Sequence, residues 1–566
     1  MKLSEVGTQR VLSQEFVFYI DEWIDEEDYE LLKKFARYLG RDRRGSKFVI
    51  DVNRLIENLR KGEIKPDDVI DILTGYEAEF VSGSMDGVME ILNRYIPRIY
   101  VKRVGHEILL QPNTYLGDTV KDLRESGVLK YDKDRRVFVL TKPMYFFEVV
   151  HTLRTRGFEV VDETGFKDRI PLPIKPTFRG SLREYQKEAL DAWRRNNYRG
   201  VISLPTGAGK TIIAIAAICE LSIRTLIVTY TKEQMFQWEE KLLEFTNIPK
   251  YMVGQFYGES KRVAPITIAT YQSAFRYIET LSPYFSLLIV DEAHHLPADK
   301  FRHIAESAIA RYRMALSATV VREDGKHTEL FALMGGLVYH KSATALADEG
   351  YLAPFRIITV KVALTPDEKL RYRKLLEEYK KLASGHTFEE LLTLAKHGDP
   401  KAIEAIRIRS ELRQLIHNAV EKLEAVKKIV NYELSRDSKI LIFTQYVDQA
   451  KRIAEYIGAH YIIGELDESA RKRRLAMFRD GNIKVLVLTT VGDEGIDIPD
   501  ANVGIIVAGT GSRRQFIQRL GRLLRPAPGK EARLYEIVVK DTFEEFESKK
   551  RRQILSLLLN NEGTAS

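Results

Sequence analysis

Short apolar runs alternate with longer amphipathic segments along most of the chain after residue 177. This alternation is typical of a parallel β-sheet whose faces are covered by helices. The runs fall into two series. The predicted strands of the first series are Gly200–Leu204, Thr225–Tyr230, Ile266–Thr270, Leu287–Val290 and Met314–Leu316. Those of the second series are Lys439–Thr444, Tyr461–Ile463, Lys484–Thr489, Val503–Ala508 and Arg533–Val538. The pattern predicts an α/β fold with two parallel-sheet lobes.

The stretch between the two series, residues 366–433, has a helical pattern and is rich in Lys, Glu and Leu. Gly385 and the Gly398-Asp399-Pro400 sequence interrupt it, and such residues punctuate helices. We therefore expect a helical insertion that follows the start of the second lobe. The first lobe would occupy residues 177–355, and the second lobe residues 356–365 and 434–566.

The first third of the chain has a different organisation. Residues 1–96 are strongly charged, and Asp28–Tyr38 and Val52–Leu59 carry apolar residues at three- and four-residue spacings. This predicts a mainly helical region, to which the sequence assigns no role. Residues 97–169 contain short β-rich runs around two helical segments, which predicts a small α+β module. The proline-rich stretch 170–176 disfavours both a helix and a central strand, so we expect a linker there.

Composition narrows the classes of function. The 566 residues contain no apolar run close to the roughly 20 residues that a membrane span requires, so we expect no membrane-spanning protein. The first 20 residues lack an apolar signal core, and Cys219 is the only cysteine, which favours an intracellular, cytoplasmic protein. The 88 basic and 80 acidic residues give a net charge of +8, which modestly favours a polyanionic partner.

A glycine-rich loop carries the strongest chemical signal. It runs from Leu204 to Thr211 with the sequence LPTGAGKT, after a predicted strand and before a predicted helix. Its backbone N–H groups and the N-terminus of the following helix can cradle phosphates. The loop contributes Thr206, Gly207 and Gly209; Lys210 would contact the β- and γ-phosphates, and Thr211 would contact Mg²⁺. Leu204 stands where the general pattern has its first glycine.

A nucleotide loop of this kind needs a metal-holding carboxylate at the end of a neighbouring strand. The sequence Asp291-Glu292-Ala293-His294 follows the predicted strand Leu287–Val290 and supplies one. We expect Asp291 to hold Mg²⁺, directly or through water, and Glu292 to position and activate the attacking water. The pair therefore favours ATP hydrolysis over simple nucleotide binding.

A basic segment of the second lobe offers the positive charge that phosphoryl transfer requires. Gln518, Arg522 and Arg525 lie at i, i+4 and i+7, which places them on one face of a helix. A basic helix surface that pairs with neighbouring carboxylates would give the same pattern. The position in the second lobe favours arginine fingers that act when the two lobes close on the nucleotide.

These residues resemble the core of helicase superfamily 2 from about Leu182 to the C-terminal region. The resemblance implies RecA-like motor lobes. It also assigns Arg183 and Gln186 to adenine recognition, Ser317 and Thr319 to coupling between hydrolysis and the nucleic-acid site, Thr490 to the strand backbone, and Gly495 and Asp497 to the nucleotide.

Narrower features are similar to the XPB family of DNA helicases, and to its archaeal members most. Arg322-Glu323-Asp324 resembles the RED motif of that family, the insertion resembles its thumb-like element, and the module at 97–169 resembles its damage-recognition domain. The resemblance implies an ATP- and Mg²⁺-dependent helicase or translocase with 3′ to 5′ polarity. The resemblance also implies that it opens forked or bubble duplex DNA in nucleotide excision repair, with transcription as a further role and a repair nuclease as a protein partner.

Two other functions remain open at this point. One is an ATP-dependent DNA-binding scaffold that opens a bubble or recruits a nuclease with little processive unwinding. The other is the motor of a restriction system or another DEAH-type translocase. A separate nuclease constellation does not stand out in the sequence, which disfavours a self-contained restriction enzyme.

Overall fold

The computed structural model describes residues 15–93, 97–113, 116–298, 300–318, 327–489, 501–508 and 531–549. The chain divides into two compact units, Met1–Phe166 and Lys167–Ser566. Each unit is described by itself. Within the described ranges, no helix combines the length and the apolar composition that crossing a bilayer requires.

The first unit begins with a four-stranded antiparallel sheet of order β2-β3-β1-β4 and four helices. The strands are β1 (Val17–Ile20), β2 (Ala36–Asp42), β3 (Gly45–Ile50) and β4 (Glu79–Ser82). The helices are α1 (Glu26–Leu32), α2 (Val52–Lys61), α3 (Pro66–Gly75) and α4 (Met85–Leu92). Phe16, Phe18, Phe35 and Phe48 lie at the centre of their shared core.

This sheet differs from the mainly helical region that the sequence predicts. The expected helix at Val52–Leu59 lies within α2. The expected helix at Asp28–Tyr38, however, is divided between α1 and the edge strand β2. Six of the seven residues of β2 are exposed or half-buried, so β2 lacks the alternation of buried and exposed residues by which a strand is recognised in a sequence.

A second sheet completes the first unit, with five strands in the order β7-β8-β6-β5-β9. The strands are β5 (Arg98–Val104), β6 (Glu107–Pro112), β7 (Leu129–Asp132), β8 (Val137–Leu140) and β9 (Glu159–Asp162). The helices are α5 (Lys121–Glu125) and α6 (Phe146–Thr155). All neighbouring strands are antiparallel except β5 and β9. The β-rich runs and the two helical segments that the sequence predicts correspond to β5, β6, β8, α5 and α6, whereas β7 and β9 are additional strands.

The first lobe of the second unit is a seven-stranded parallel sheet of order β12-β13-β11-β14-β15-β10-β16. Its strands are β10 (Arg199–Ser203), β11 (Thr225–Thr229), β12 (Val253–Phe256), β13 (Ile266–Thr270), β14 (Leu287–Val290), β15 (Tyr312–Ser317) and β16 (Leu337–His340). All five strands predicted for this lobe are present, and β12 and β16 are additional edge strands.

Helices cover the sheet of the first lobe. They are α7 (Glu184–Arg195), α8 (Lys210–Leu221), α9 (Lys232–Phe245), α10 (Tyr271–Leu281), α11 (Arg302–Ser307), α12 (His327–Met334) and α13 (Ala343–Asp348). Trp193 on α7 and Trp238 on α9 are almost fully buried in the core. This lobe is therefore a helix-covered parallel sheet, as the alternation of apolar runs predicts.

The second lobe is a six-stranded parallel sheet of order β17-β22-β21-β18-β20-β19. Its strands are β17 (Phe355–Val362), β18 (Ile440–Thr444), β19 (His460–Ile462), β20 (Val485–Thr489), β21 (Val503–Ile506) and β22 (Ala532–Val539). Two described helices of this lobe are α18 (Val447–Ile457) and α19 (Glu468–Arg479). Among the described strands of the second lobe, β17 is the one that the sequence pattern does not predict.

Four helices lie between β17 and β18, where the sequence predicts a helical insertion. They are α14 (Pro366–Ala383), α15 (Phe388–Lys396), α16 (Pro400–His417) and α17 (Val420–Leu434). Gly385 and Gly398 have left-handed φ values of 85° and 86° and lie in the two breaks. Helix α17 packs on strands β17 and β22 of the second-lobe sheet, and its buried residues Val426 and Val430 share one core with Leu375 of α14 and Leu412 of α16.

A buried ion pair fastens α17 to that sheet. Glu433 is fully buried and accepts hydrogen bonds from Arg533 Nη2 at 2.8 Å, from Tyr535 Oη at 2.6 Å and from Ser438 Oγ at 2.9 Å. Burial alone would raise the pKa of Glu433, but these three donors outweigh it and hold the pKa below the ordinary carboxyl value. The ionised carboxylate is therefore the form that the folded lobe prefers.

We expect Glu433→Gln to destabilise the protein by about 2–4 kcal/mol at neutral pH, because Arg533 would then lack its buried counter-charge. A carboxyl group whose pKa is lowered by folding contributes stability above its ordinary pKa, and this contribution is lost as the pH falls through the lowered value. Urea unfolding of the wild type and of Glu433→Gln between about pH 7 and about pH 3, a range that extends below the ordinary carboxyl pKa, would measure both effects. A difference that does not shrink toward acidic pH would contradict this assignment.

Candidate active site

The parallel pairing of three strands brings the predicted reactive segments to one edge of the first-lobe sheet. Ser203 at the end of β10 pairs with Ser317 at the end of β15. Val290 at the end of β14 pairs with Ala315 in β15. The glycine-rich loop, the Asp291-Glu292 pair and the Ser317-Ala318 segment therefore begin side by side at the carboxyl edge of the sheet.

The glycine-rich loop has the backbone conformation that its glycines permit. Gly207 and Gly209 have φ values of 86° and 75°, in the left-handed region that disfavours other residues. A Cβ atom on Gly209 would lie 2.5 Å from Gln186 Nε2, so a side chain has no room there. Helix α8 begins at Lys210, directly after this glycine, and Thr211 in its first turn is half-buried. The loop therefore presents a helix N-terminus, which favours an anion.

Lys210 is held inside the loop rather than extended into solvent. Its Nζ donates hydrogen bonds to the carbonyl oxygens of Leu204 at 2.9 Å and Pro205 at 3.2 Å. Burial lowers the pKa of Lys210, and the negative charges of Glu292 and Asp291 oppose this shift. Thr206 Oγ1 is buried without a hydrogen-bond partner among the described residues. A buried ammonium and an unsatisfied hydroxyl around one loop fit a phosphate group.

The residues expected to read adenine are joined to this loop. Tyr185 Oη and Gln186 Nε2 both donate to the carbonyl oxygen of Ala208, at 2.8 and 3.0 Å. Gln186 Oε1 accepts from the backbone N–H of Arg183 at 2.9 Å. The Arg183 side chain donates to the carbonyl oxygen of Tyr351 at 3.3 Å. Hydrogen bonds thus attach the start of α7 to the glycine-rich loop. Tyr185 makes one of these bonds, and the sequence did not single it out.

Asp291 is oriented by a tryptophan 53 residues before it in the sequence. Trp238 Nε1 donates to Asp291 Oδ2 at 2.8 Å, and the backbone N–H of Glu292 donates to Oδ1 at 2.9 Å. Both carboxylate oxygens are therefore held by donors. The sequence identified Asp291, but Trp238 could be found only from the packing of α9 on the sheet, beside β11 and β13.

Glu292 is held in an unfavourable backbone conformation. Its φ and ψ are 48° and 45°, in the left-handed region. Tyr271 Oη lies 3.3 Å from the carbonyl oxygens of both Asp291 and Glu292 and can donate to either. Such a conformation persists only where its surroundings impose it, and it is a frequent feature of functional sites. The hydroxyl of Tyr271 is one of the groups that hold it here.

A chain of polar contacts joins Glu292 to the end of β15. His294 Nδ1 lies 3.4 Å from Glu292 Oε2 and 3.3 Å from Ser317 Oγ. His294 and Ser317 are both almost fully buried. The expected hydrolytic carboxylate and the expected coupling segment are therefore in contact through one imidazole.

The described structure brings together the predicted site residues of the first lobe: Arg183, Gln186, Thr206, Gly207, Gly209, Lys210, Thr211, Asp291, Glu292 and Ser317. The other predicted site residues lie outside the described ranges: Thr319, Arg322, Glu323, Asp324, Thr490, Gly495, Asp497, Gln518, Arg522 and Arg525. Their assigned roles remain predictions.

Comparisons with known proteins match both halves of the second unit. Residues 179–322 match the family described as "Type III restriction enzyme, res subunit", and residues 404–558 match "ERCC3/RAD25/XPB C-terminal helicase". The chain is 38% identical over 404 residues to the DNA 3'-5' translocase XPB2 of Sulfurisphaera tokodaii, which covers 70% of this chain and 90% of that relative. The chain belongs to the XPB family.

Bacterial and eukaryotic members of the XPB family are also similar. The DNA 3'-5' helicase XPB of Kineococcus radiotolerans is 30% identical over 88% of this chain and 86% of that relative. The XPB subunit of general transcription and DNA repair factor IIH from Dictyostelium discoideum is 28% identical over 79% of this chain and 56% of that relative. Among solved structures, the Pyrococcus furiosus Hef helicase domain matches with a TM-score of 0.45 and 22% identity, over 66% of this chain and 98% of that chain.

The donor set of this XPB-family site fits Mg²⁺ bound together with a phosphate. Among the described residues, no group of three or more His, Cys, Asp and Glu side chains could hold a metal by itself. Thr211 and Asp291 would supply two oxygen ligands, and Mg²⁺ commonly takes its others from water and from substrate phosphates. Asp291 and Thr211 would therefore hold the metal only as part of a nucleotide complex.

We expect Trp238→Phe to raise the Mg²⁺ concentration for half-maximal ATP turnover by about tenfold, because Asp291 would lose the donor that orients it. The matched control is Trp193→Phe, which removes another buried indole donor of the same lobe, bonded to the carbonyl oxygen of Arg313 at 2.7 Å. The control should lower stability and leave the Mg²⁺ dependence unchanged. Equal Mg²⁺ dependence in the wild type and in Trp238→Phe would contradict the role of Trp238.

Proposed function

We propose that this protein is an ATP-dependent DNA translocase and helicase that moves 3′ to 5′ and opens duplex DNA during nucleotide excision repair. The observation that carries the proposal is the contact of His294 with both Glu292 and Ser317. It supports a motor because it joins the hydrolytic carboxylate to the segment expected to sense DNA. The polarity and the DNA substrate are supported by relatives named as DNA 3'-5' translocases and helicases.

Each residue of the first-lobe site has a distinct role in ATP hydrolysis. The loop N–H groups and Lys210 bind the β- and γ-phosphates, after the Lys210 ammonium exchanges its bonds to loop carbonyls for phosphate oxygens. Mg²⁺ held by Thr211 and Asp291 would neutralise phosphate charge. Glu292 orients the attacking water and accepts its proton. Arg183 and Gln186 select adenine.

Through His294, the position of the Glu292 carboxylate would depend on the position of Ser317. A displacement of Ser317 alters the position of the imidazole, and the imidazole in turn alters the position of the Glu292 carboxylate. Catalytic geometry must be held within fractions of an ångström, so a small displacement of this kind changes the hydrolysis rate. DNA binding beside Ser317 would therefore regulate ATP turnover.

The second lobe completes the proposed motor. Arg522 and Arg525 act as the transition-state cations, and Gln518, a neutral amide on the same predicted helix face, acts beside them. Gly495 and Asp497 approach the nucleotide, and Thr490 approaches the DNA backbone. Closure of the two lobes on ATP and their opening after hydrolysis then move the strand. Arg322, Glu323 and Asp324 act near the point of strand separation.

The proposed function also implies a DNA substrate and a protein partner. The substrate is forked or bubble duplex DNA, and the protein partner is a repair nuclease. The description of the Dictyostelium relative as a factor IIH subunit supports the general idea that a motor of this family works in an assembly. The match of residues 179–322 to a restriction-enzyme subunit is compatible with a translocating motor, and the match of residues 404–558 favours the XPB assignment.

We expect Glu292→Gln to bind ATP with nearly unchanged affinity and to hydrolyse it at least about 100-fold more slowly, because the amide cannot accept the proton of the attacking water. Phosphate release and binding of labelled ATP would measure the two effects separately. Glu279→Gln, a change at a partly exposed carboxylate on α10, serves as the control and should retain turnover. Near-normal hydrolysis by Glu292→Gln would assign the general base to another residue.

ATP turnover with and without a forked duplex, measured together with strand separation, tests the motor itself. We expect the fork to stimulate turnover by about tenfold or more and Lys210→Ala to lose both activities, because the phosphates would lose their main cation. The control is Lys187→Ala, which removes an exposed lysine of α7 paired with Glu184. Negligible stimulation, together with DNA opening by Lys210→Ala, would favour the scaffold over the motor.

A further inference from the structure

The first sheet of the chain carries an isolated group of cations. Residues 15–93 contain 19 acidic and 11 basic residues, so this part of the protein is strongly acidic. Five of the basic residues nevertheless lie on the hairpin formed by β2 and β3, residues 36–50, where Asp42 is the only acidic residue. The cations of this hairpin, which we call the basic hairpin, are Arg37, Arg41, Arg43, Arg44 and Lys47.

Internal ion pairs do not account for these cations. Within the described ranges, neither Arg37 nor Arg43 contacts a carboxylate, and Arg41 makes only a long hydrogen bond of 3.5 Å to the carbonyl oxygen of Asp21. The carboxylate of Asp42 accepts hydrogen bonds from Tyr19 Oη at 2.7 Å and from the backbone N–H of Arg44 at 2.8 Å. The charges of the three arginines therefore remain available to a partner.

Aromatic side chains pack the basic hairpin onto its sheet. Phe48 stacks on Phe18 with a centroid distance of 5.6 Å, and Tyr38 packs on Phe48 at 5.4 Å. Lys47 and Arg44 lie over the ring of Tyr19, at 5.7 and 4.8 Å. Strand pairing thus fixes the backbone that carries the cations before any partner binds, so less backbone entropy is lost on binding.

The hairpin projects at the edge of the sheet. Strand β2 is an edge strand, and its pairing with β3 shifts register between Tyr38 and Gly40. Tyr38 and Leu39 are 46% and 47% exposed at this irregularity. Arg37, Arg41 and Arg43 are exposed along the strand and the turn that follows it. A two-stranded ribbon of this kind can lie along a DNA groove with its cations on the flanking phosphates.

We propose that the basic hairpin binds the phosphate backbone of duplex DNA as a contact outside the motor lobes. Four of its five cations are arginines, whose planar guanidinium groups match phosphate oxygens in a two-point geometry. The contact is sequence-independent and salt-sensitive. The inference rests on the proposed function, because DNA must be the substrate of the motor for this contact to act on the same duplex.

A second contact on one duplex has a mechanistic consequence. When the motor releases its strand between cycles, the duplex bound at the hairpin stays close, and rebinding becomes effectively intramolecular. The basic hairpin would therefore increase the number of cycles completed per encounter without altering the hydrolysis step. ATP turnover in the absence of DNA should be independent of it.

The test compares two triple variants of the full chain that lose the same charge. The first is Arg37→Ala/Arg41→Ala/Arg43→Ala, in the basic hairpin. The matched control is Arg54→Ala/Lys61→Ala/Lys65→Ala, which removes three cations of α2 and its flank from the same part of the protein. Affinity for a labelled forked duplex would be measured between about 50 and 200 mM salt, a range over which phosphate contacts weaken strongly.

We expect the hairpin variant to bind the fork about tenfold more weakly at low salt. The slope of log K against the logarithm of the salt concentration should be smaller in magnitude by about two to three, because three phosphate contacts are lost. The control variant should match the wild type in both, and all three proteins should turn over ATP equally without DNA. Equal affinity and equal salt slopes in the two triple variants would overturn the hairpin contact while leaving the motor intact. Failure of the wild type itself to bind the fork would instead overturn both proposals.

Discussion

Parallel pairing of β14, β15 and β10 is the constraint on which the first lobe depends. Parallel strands run in one direction, so the segments that leave their carboxyl ends emerge at a single edge. The glycine-rich loop, the Asp291-Glu292 pair and Ser317 are separated by about 80 and 25 residues in the sequence, yet the register of three strands places them together. Loss of that register would disperse all three segments at once.

Hydrogen bonds at this edge hold conformations that the backbone alone would not adopt. Glu292 occupies the left-handed region, and Tyr271, Trp238 and His294 contact it or its neighbour Asp291 from different elements. The backbone strain at such a position costs about 1–3 kcal/mol, which the surrounding contacts must offset. The position of the Glu292 carboxylate therefore depends on contacts from several elements, which suits the regulated role that we propose for it.

The strands that carry the site could largely be predicted from the sequence, because buried parallel strands consist of uninterrupted apolar residues. Leu287–Val290 is such a run, and Asp291 directly follows it. Lys210 is recognised in the same way, because it ends the glycine-rich loop that follows β10. The strands that escaped prediction in the lobes include Leu337–His340, an edge strand that buries none of its four residues, so its sequence carries no clear burial pattern.

The contacts that orient the site could not be predicted for a different reason. Trp238 and Asp291 are 53 residues apart and lie on different elements, so only the packing of α9 on the sheet brings them together. Tyr271 similarly reads as an ordinary core aromatic at the start of a helix. Sequence motifs identify reactive residues such as Asp291 by residue type and spacing. Trp238 and Tyr271, which position those residues, belong to no such motif.

The net charge of +8 is distributed unevenly along the chain. Residues 15–93 contain an excess of eight acidic residues, so the rest of the chain carries 77 basic and 61 acidic residues and is considerably more basic than the total suggests. The segment Asp21–Glu30 contains seven acidic residues and no basic ones, and it lies beside the hairpin in the sequence. Carboxylates in this segment repel phosphates, whereas the hairpin attracts them. With a Debye length of about 8 Å at physiological ionic strength, both effects are local. In the proposed contact, these acidic surroundings would restrict the orientation in which a DNA duplex approaches the hairpin.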